Sequence, residues 1–482
     1  MPLVLGVDSS TQATKVEVRD ADDGTLVATG RAAHPAVHPP RSEQPPGAWW
    51  DALRSAVAQA GRRDIAGISV AGQQHGLVVL DAAGAVVRDA KLWNDTESAA
   101  VAADLVERMG PAAWAEAVGS VPLAAFTITK LGWLARHEPD AFERVASVLL
   151  PHDYLGFRLT GRRTTDRGDA SGTGYFSPTG GEWRPDLLER FVAPGPWPER
   201  LPTVLGPTEP VGPVTARALA ALGLDGPVTV GPGTGDNMAA ALGIGLAPGD
   251  VAMSIGTSGT VYAGHDRPSA DPTGTVAGFA DATGRFLPLV CTLNATRVTG
   301  AVARWLGVTE DGLGALAAEV PAGAGGVVLV PYLDGERTPN RPNATGTLVG
   351  LDTGTGRGQI ARAAFEGVVC GLLDGLDALR HVTGTAPARI VLVGGGATAP
   401  MYRRTVADLS GLPVVCRAGG EHVATGACVQ AAATIGDRPI AEVQQAWNLD
   451  AGTVTEPDRS VPRDAIRRRY RDAAASAPDT RG

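Results

Sequence analysis

The amino-acid sequence predicts an α/β protein of two related domains, and three observations carry that prediction. An apolar strand, a small polar loop and a second strand near residue 3 recur about half a chain later, at residues 251–263. Apolar runs of strand length alternate with longer stretches of helical spacing. The chain has 482 residues, 44% of them hydrophobic, which is long enough for two or three domains and supplies a large core.

The elements follow in order. Leu3–Val7 reads as a buried strand, Asp8-Ser9-Ser10-Thr11-Gln12 as a small polar loop, and Val16 and Val18 alternate with Glu17 and Arg19 as a half-buried strand. Asp22-Asp23-Gly24 makes a turn into a third strand over Thr25–Ala28. Ile65–Val70 is a strand ending in a glycine-rich polar turn, and 101–108 has helical spacing. Val251–Ile255, the loop Gly256–Thr260 and Val261–Ala263 repeat the first hairpin. Helical spacing returns over 361–379 and 423–434, with a buried strand at Ile390–Val393 between them running into Gly394-Gly395-Gly396. Arg463–Ala475 is expected as a surface helix whose Arg467-Arg468-Arg469 run is a solvated face, with fraying at the last residues. Leu246–Asp250, rich in turn residues, reads as a hinge between a domain over 1–245 and one over 246–482.

Composition excludes several classes of function. A net charge of −9 argues against a nucleic-acid partner and against an anionic membrane surface. Cys291, Cys370, Cys416 and Cys428 are scattered without a CxxC pair, which argues against a disulfide framework or a structural zinc site. The start lacks the basic segment of a signal peptide, and no apolar stretch reaches the roughly 18 residues that span a bilayer. A cytoplasmic setting is therefore expected. Only three of 42 basic residues are lysine, Lys15, Lys91 and Lys130, positions where a compact point charge is worth following.

The sequence has no Gly-Lys pair, so a Walker-type phosphate loop is closed to it. The two hairpin loops offer another route. Short Ser/Thr/Gly loops aim several backbone N–H groups one way and let a phosphate approach closely. Asp8 is placed to hold Mg²⁺ through water, and Lys15, one strand away, adds charge. A single loop of this kind is an ordinary hairpin; two matching loops in one chain are a stronger signal. The triple glycine at 394–396 permits a flat ligand against the backbone and equally fits a helix-initiating turn.

Taken together, these residues resemble the FGGY carbohydrate kinases, within the actin-like ATPase superfamily, over almost the whole chain. The ordered motifs are Asp8-Ser9-Ser10-Thr11 with Lys15, Gly72-Gln73-Gln74-His75-Gly76, Leu92-Trp93-Asn94-Asp95 and Thr127–Trp133. They continue with Gly233-Thr234-Gly235-Asp236-Asn237, Ser254–Thr260, Pro331–Pro339 and Gly394–Ala397. The resemblance implies an α/β fold of two actin-like ATPase (ribonuclease H-like) domains with a cleft between them, the first binding sugar and the second nucleotide. It implies ATP and Mg²⁺ as cofactors, with Ser10, Thr11, Lys15, Gly256, Thr257, Ser258, Gly395, Gly396 and Ala397 on the nucleotide and Asp8 on the metal. It implies Gln74, His75, Asp236 and Asn237 on the sugar, and Asp236 as the general base. By position alone Asp236 reads first as a helix N-cap. Within the family, Gly-Gln-x-His-Gly at 72–76 resembles the subgroup that phosphorylates D-xylulose. Another ketose or polyol is the alternative substrate, and a non-kinase actin-like ATPase the alternative class. A homodimer is implied only by the resemblance. The chain departs from the family pattern at Ala125, Ala399 and Pro400, and in reading Asp-Ser-Ser-Thr in the first loop.

Overall fold

The computed structural model describes residues 2–384, 386–417, 419 and 421–478, so the expected C-terminal fraying lies outside the described residues. Packing divides the chain into two compact units. Unit 1 comprises Met1–Gly245, His265–Leu287 and Glu421–Asp450; unit 2 comprises Leu246–Gly264, Pro288–Gly420 and Ala451–Gly482. A single cut after Gly245 thus describes only the first boundary. The chain also changes unit at 264/265, 287/288, 420/421 and 450/451.

The sheet of unit 1 is built on β1 (Leu3–Ser9), β2 (Ala13–Asp20), β3 (Leu26–Ala33), β4 (Ile65–Gly72), β5 (Gly212–Pro213), β6 (Thr229–Val230) and β7 (Thr234–Gly235). Their order is β5–β6–β4–β1–β2–β3, with β7 also on β4. β1 is antiparallel to β2 and parallel to β4, and β6 and β7 are parallel to β4. Every residue of β1 is buried, which explains its near-continuous apolar run.

Helix Pro46–Ala60 packs on β2 and β3, and helix His422–Gly436 on β1 and β4. The second contact changes the expected pattern of β2. Glu17 is buried, not solvent-facing, because Thr425 donates to its carboxylate (2.8 Å) and Cys428 to its carbonyl (3.3 Å). The close approach needs small residues. A Cβ on Gly6 would sit 2.1 Å from the Ala424 carbonyl oxygen. Helix Asp236–Gly243 crosses helix His422–Gly436 in the same way, with a Cβ on Gly426 falling 1.8 Å from the Ala239 oxygen.

The sheet of unit 2 contains β8 (Asp250–Ile255), β9 (Gly259–Tyr262), β10 (Phe286–Thr292), β11 (Arg389–Val393), β12 (Val414–Cys416) and β13 (Thr453–Thr455), in the order β10–β9–β8–β11–β12–β13. β8 is antiparallel to β9, β9 antiparallel to β10, and β8 parallel to β11. This run, β10–β9–β8–β11, repeats β3–β2–β1–β4 of unit 1. The repeated hairpin seen in the sequence is therefore a repeated sheet topology. The 27-residue helix Arg357–Thr383 covers this sheet.

Helix Arg463–Ala475 forms as expected, with Arg468 and Arg469 exposed. Arg467 is instead paired with Asp374 and Asp377 (3.1 and 2.7 Å). No disulfide joins Cys291, Cys370, Cys416 and Cys428, and among the described residues no helix is long and apolar enough to cross a membrane.

Candidate active site

Strand register brings three sequence-distant motifs of unit 1 to one sheet edge. Ser9 pairs with Gly72, and Gly72 with Gly235. β1, β4 and β7 run parallel, so the residues after each strand leave the sheet side by side: Ser10-Thr11, Gln73-Gln74-His75 and Asp236-Asn237. Hydrogen bonds join them. Gln73 N donates to Ser9 O (3.0 Å), and Thr11 Oγ1 donates to Gln73 Oε1 (3.2 Å) while accepting from Trp93 Nε1 (2.9 Å). Trp93 therefore fastens the first loop, and it is only partly buried.

Asp236 is the first residue of helix Asp236–Gly243, and the N-cap is Gly235, which has no side chain. The reading of Asp236 as an ordinary N-cap is thereby removed. Its Oδ1 accepts from Asn237 Nδ2 (3.0 Å), and the same nitrogen donates to Gln74 Oε1 (2.8 Å). Asp236, Asn237 and Gln74 thus form one chain of polar groups. Asp236 keeps a partly exposed face, yet crowding by protein strips its hydration, and the charges of Asp8 and Asp169 add to that. Its carboxyl is pushed up to about 7.

His75 has φ +66°, and its Nδ1 lies 2.7 Å from the Gly172 carbonyl. Its ring stacks on Phe126 (5.0 Å between centroids) and leans on Phe279 (5.7 Å). Phe126 is fixed in turn by Lys130, whose ammonium donates to the carbonyls of Ala124 (3.1 Å), Ala125 and Phe126 (3.5 Å). That gives Lys130 a structural role. It also explains why Ala125 is tolerated, since the position contributes a carbonyl that any residue supplies.

Asp8 is buried, and its Oδ1 has no hydrogen-bond partner among the described residues. Burial pushes its carboxyl up to about 6, against the pull of Lys15, which lies 3.6 Å away. Lys15 is itself held by Glu421 at 2.6 Å. A buried carboxylate oxygen left without a donor suits a hydrated cation, so Asp8 fits the Mg²⁺ expected there. Ser10 Oγ is spent on the Ala13 carbonyl (3.1 Å). Lys91 is fully buried among Glu43, Asp95 and Glu97 (3.0, 3.2 and 2.5 Å) and takes no part in this group.

A second polar layer lies behind these residues, and nothing in the sequence pattern singled it out. His152 Nδ1 is 2.7 Å from Asp169 Oδ2. Asp166 accepts from Thr234 Oγ1 (2.8 Å) and from the N–H groups of Gly168 and Asp169 (both 2.9 Å). Burial opposes the charge of His152, but Asp153, Asp169 and Asp166 outweigh it and raise the imidazole to about 9.

Unit 2 carries the remaining residues. Gly256, Thr257 and Ser258 form the tip between β8 and β9, anchored where Thr296 donates to the Gly256 carbonyl through N (2.9 Å) and Oγ1 (2.9 Å). The triple glycine does not open a helix directly: Gly395–Thr398 is a short 3-10 turn, and the helix starts at Pro400, where proline is favoured. A Cβ on Gly394 would lie 2.6 Å from the Ile255 carbonyl oxygen, and one on Gly396 would lie 2.5 Å from the Ile255 side chain. Packing on β8 thus accounts for two of the glycines, while Gly395 faces open space. Nearby, a cavity of about 720 Å³ is lined by Glu310, Gly314, Phe365, Pro400, Met401 and Arg403 among others.

Unit 1 thus gathers a raised carboxyl with polar side chains, and each unit carries a Ser/Thr/Gly hairpin. Sequence relatives supply the class. The N-terminal domain of the FGGY family of carbohydrate kinases matches residues 3–243, and its C-terminal domain matches 251–435. The chain belongs to that family: it is a sugar kinase with the actin-like ATPase fold. It is 48% identical to the xylulose kinase of Streptomyces coelicolor over 94% of this chain and 92% of that protein. The crystal structure of xylulose kinase from Bifidobacterium adolescentis superposes with a TM-score of 0.86 at 41% identity, covering 98% of this chain and 99% of that one. A gluconate kinase from Lactobacillus acidophilus superposes with a TM-score of 0.91 at 25% identity, covering 98% of each chain.

Proposed function

We propose that the chain transfers the γ-phosphoryl group of ATP to D-xylulose, giving D-xylulose 5-phosphate and ADP, with Asp236 as general base. The observation that carries this reading is the Asp236–Asn237–Gln74 chain, whose terminal carboxyl is pushed up to about 7. A base poised near the working pH takes a hydroxyl proton most effectively. Phosphoryl transfer otherwise depends on positioning and on neutralising charge.

Gln74, His75 and Asn237 hold and orient the sugar, because each hydroxyl left unpaired in the site would cost about 1–3 kcal/mol. Unit 1 is the sugar-binding domain and carries the first phosphate hairpin. Ser10, Thr11 and Lys15 flank the phosphates there, and Lys15 also tempers Asp8. Asp8 would hold Mg²⁺, and the ion would supply neutralisation of phosphate charge. Unit 2 is the nucleotide-binding domain. Gly256, Thr257 and Ser258 take phosphate oxygens, Gly395, Gly396 and Ala397 take the nucleoside, and the 720 Å³ cavity beside Pro400 receives the adenine.

The choice of D-xylulose draws on the relatives named xylulose kinase; the gluconate kinase shows that this fold also serves another sugar. ADP release measured over a panel of ketoses, polyols and gluconate tests the reading. D-Xylulose is expected among the best substrates, and its absence from that group would overturn the specificity. Release of ADP unaffected by any sugar would instead favour an ATPase without a sugar acceptor.

A further inference from the structure

The loops bearing Gln74-His75 and Asp236-Asn237 lie far apart in sequence, and both pass the same buried residue, His152, the first against its backbone and the second against its ring. A Cβ on Gly72 would lie 2.9 Å from His152 N, and one on Gly233 would lie 2.6 Å from its ring carbon Cδ2. Both positions are glycine where the chain passes His152. The ring is oriented by Asp169, on the short helix Arg167–Ala170. Asp166 caps that helix and accepts from Thr234, two residues before Asp236. Just past the helix, the Gly172 carbonyl meets His75 Nδ1. One short segment, 166–172, therefore ties His152, the 233–237 loop and His75 into a closed circuit.

We propose that His152 and Asp169 are a positioning pair for the sugar side of the active site, acting through Gly233 and Gly172 without touching substrate. The pair holds the base-bearing loop and the His75 loop in register, so that Asp236 and His75 address one sugar together. The titratable groups around His152 are Asp153 (3.1 Å from Nε2), Asp166 (3.9 Å) and Asp169, with Tyr175 close enough to feel the charges of Asp153 and Asp169. A buried ion pair of this kind is a weak source of stability compared with apolar packing, and its attested use is to fix a unique arrangement. Displacement of a reacting group by an ångström costs about a hundredfold in rate.

The inference rests on the sugar-kinase reading of this site. The wild-type sugar panel and an Asp236→Asn variant test that reading separately, and the variants below are assayed on whichever sugar the wild type phosphorylates best. Full-length Asp169→Asn, His152→Asn and the double variant are compared by steady-state kinetics, with thermal melting as the check on folding. Asp169→Asn keeps the shape of the pair without the carboxylate, and His152→Asn keeps a neutral donor toward Asp169. In each folded single variant kcat/KM for sugar is expected to fall about ten- to hundredfold while KM for ATP stays within about twofold. The double variant is expected to lose no more than the worse single one, since the two act as a unit. Unchanged sugar kinetics in either folded single variant would overturn the proposal. So would equal losses on sugar and ATP, or a double-variant loss equal to the product of the single losses.

Discussion

The hairpin of unit 1 and the hairpin of unit 2 share a strand–loop–strand topology and differ in chemistry. Counted from the closing pair, Ser9↔Thr14 in one and Ile255↔Gly259 in the other, the next cross-strand pair is Asp8↔Lys15 in unit 1 and Ser254↔Thr260 in unit 2. The first is a carboxylate and an ammonium 3.6 Å apart; the second is two hydroxyls. On the proposed reading, the first suits a metal ion beside a charged base, and the second suits an anionic ligand met by uncharged donors. Duplicating a sheet copies backbone N–H groups, and the side chains then divide the work.

The largest expected effect lies wholly in unit 1. Asp236→Asn keeps the size of the side chain and its place on the helix while removing the proposed base. Its kcat should fall by about 10²- to 10⁴-fold, with ADP binding by calorimetry unchanged. Near-normal turnover would remove Asp236 from the role. Next, Asp8→Asn should weaken Mg²⁺-dependent activity by about 10- to 100-fold in a magnesium titration, whereas Ser254→Ala should cost only a few-fold. Equal losses at the two positions would erase the division of labour between the hairpins.

A pH profile sharpens the same contrast. The proposed base, Asp236, would work deprotonated, and its carboxyl is raised to about 7, so kcat should rise with pH through about 7 and fall below it. Asp8 contributes to that rise through its negative charge, so Asp8→Asn should move the acid limb to lower pH. Ser254→Ala, which removes no charge, should leave it in place. An acid limb near the ordinary carboxylate range in the wild type would break this account.

The smallest effects separate the glycines of unit 2. Gly394 has φ +86° and packs on Ile255, so Gly394→Ala should destabilise the protein by about 1–3 kcal/mol in thermal or denaturant unfolding. Gly395 faces open space, so Gly395→Ala should leave stability within about 0.5 kcal/mol and raise KM for ATP. A loss of stability at Gly395 as well, with KM for ATP unchanged, would assign the motif wholly to packing.

Much of this was legible because it is local. The strand β1 and its loop, the matching β8 and its loop, and helix Arg463–Ala475 each follow from periodicity and turn residues that lie side by side in the chain. Asp236 was legible as a candidate, but only the helix start at Asp236 and the capping position at Gly235 removed the reading as an ordinary cap. Lys130 stood out among three lysines, yet its partners are backbone carbonyls, which leave no signature in residue type. His152 and Asp169 gave no signal at all, because single His and Asp residues 17 positions apart form a pair only when a helix and a turn fold together.

The sequence by itself determined the α/β class, the duplicated hairpin, the lack of a Walker loop and the identity of the polar residues at each strand end. These depend on short-range pattern and residue chemistry. Tertiary structure decided which strand ends share an edge, through the register Ser9, Gly72 and Gly235. It also decided that Glu17 is buried, that residues 421–450 pack with unit 1, and that a carboxyl with an ordinary value near 4 is raised to about 7. Each of these is fixed by groups tens to hundreds of residues away, and burial and charge act through space without regard to chain order.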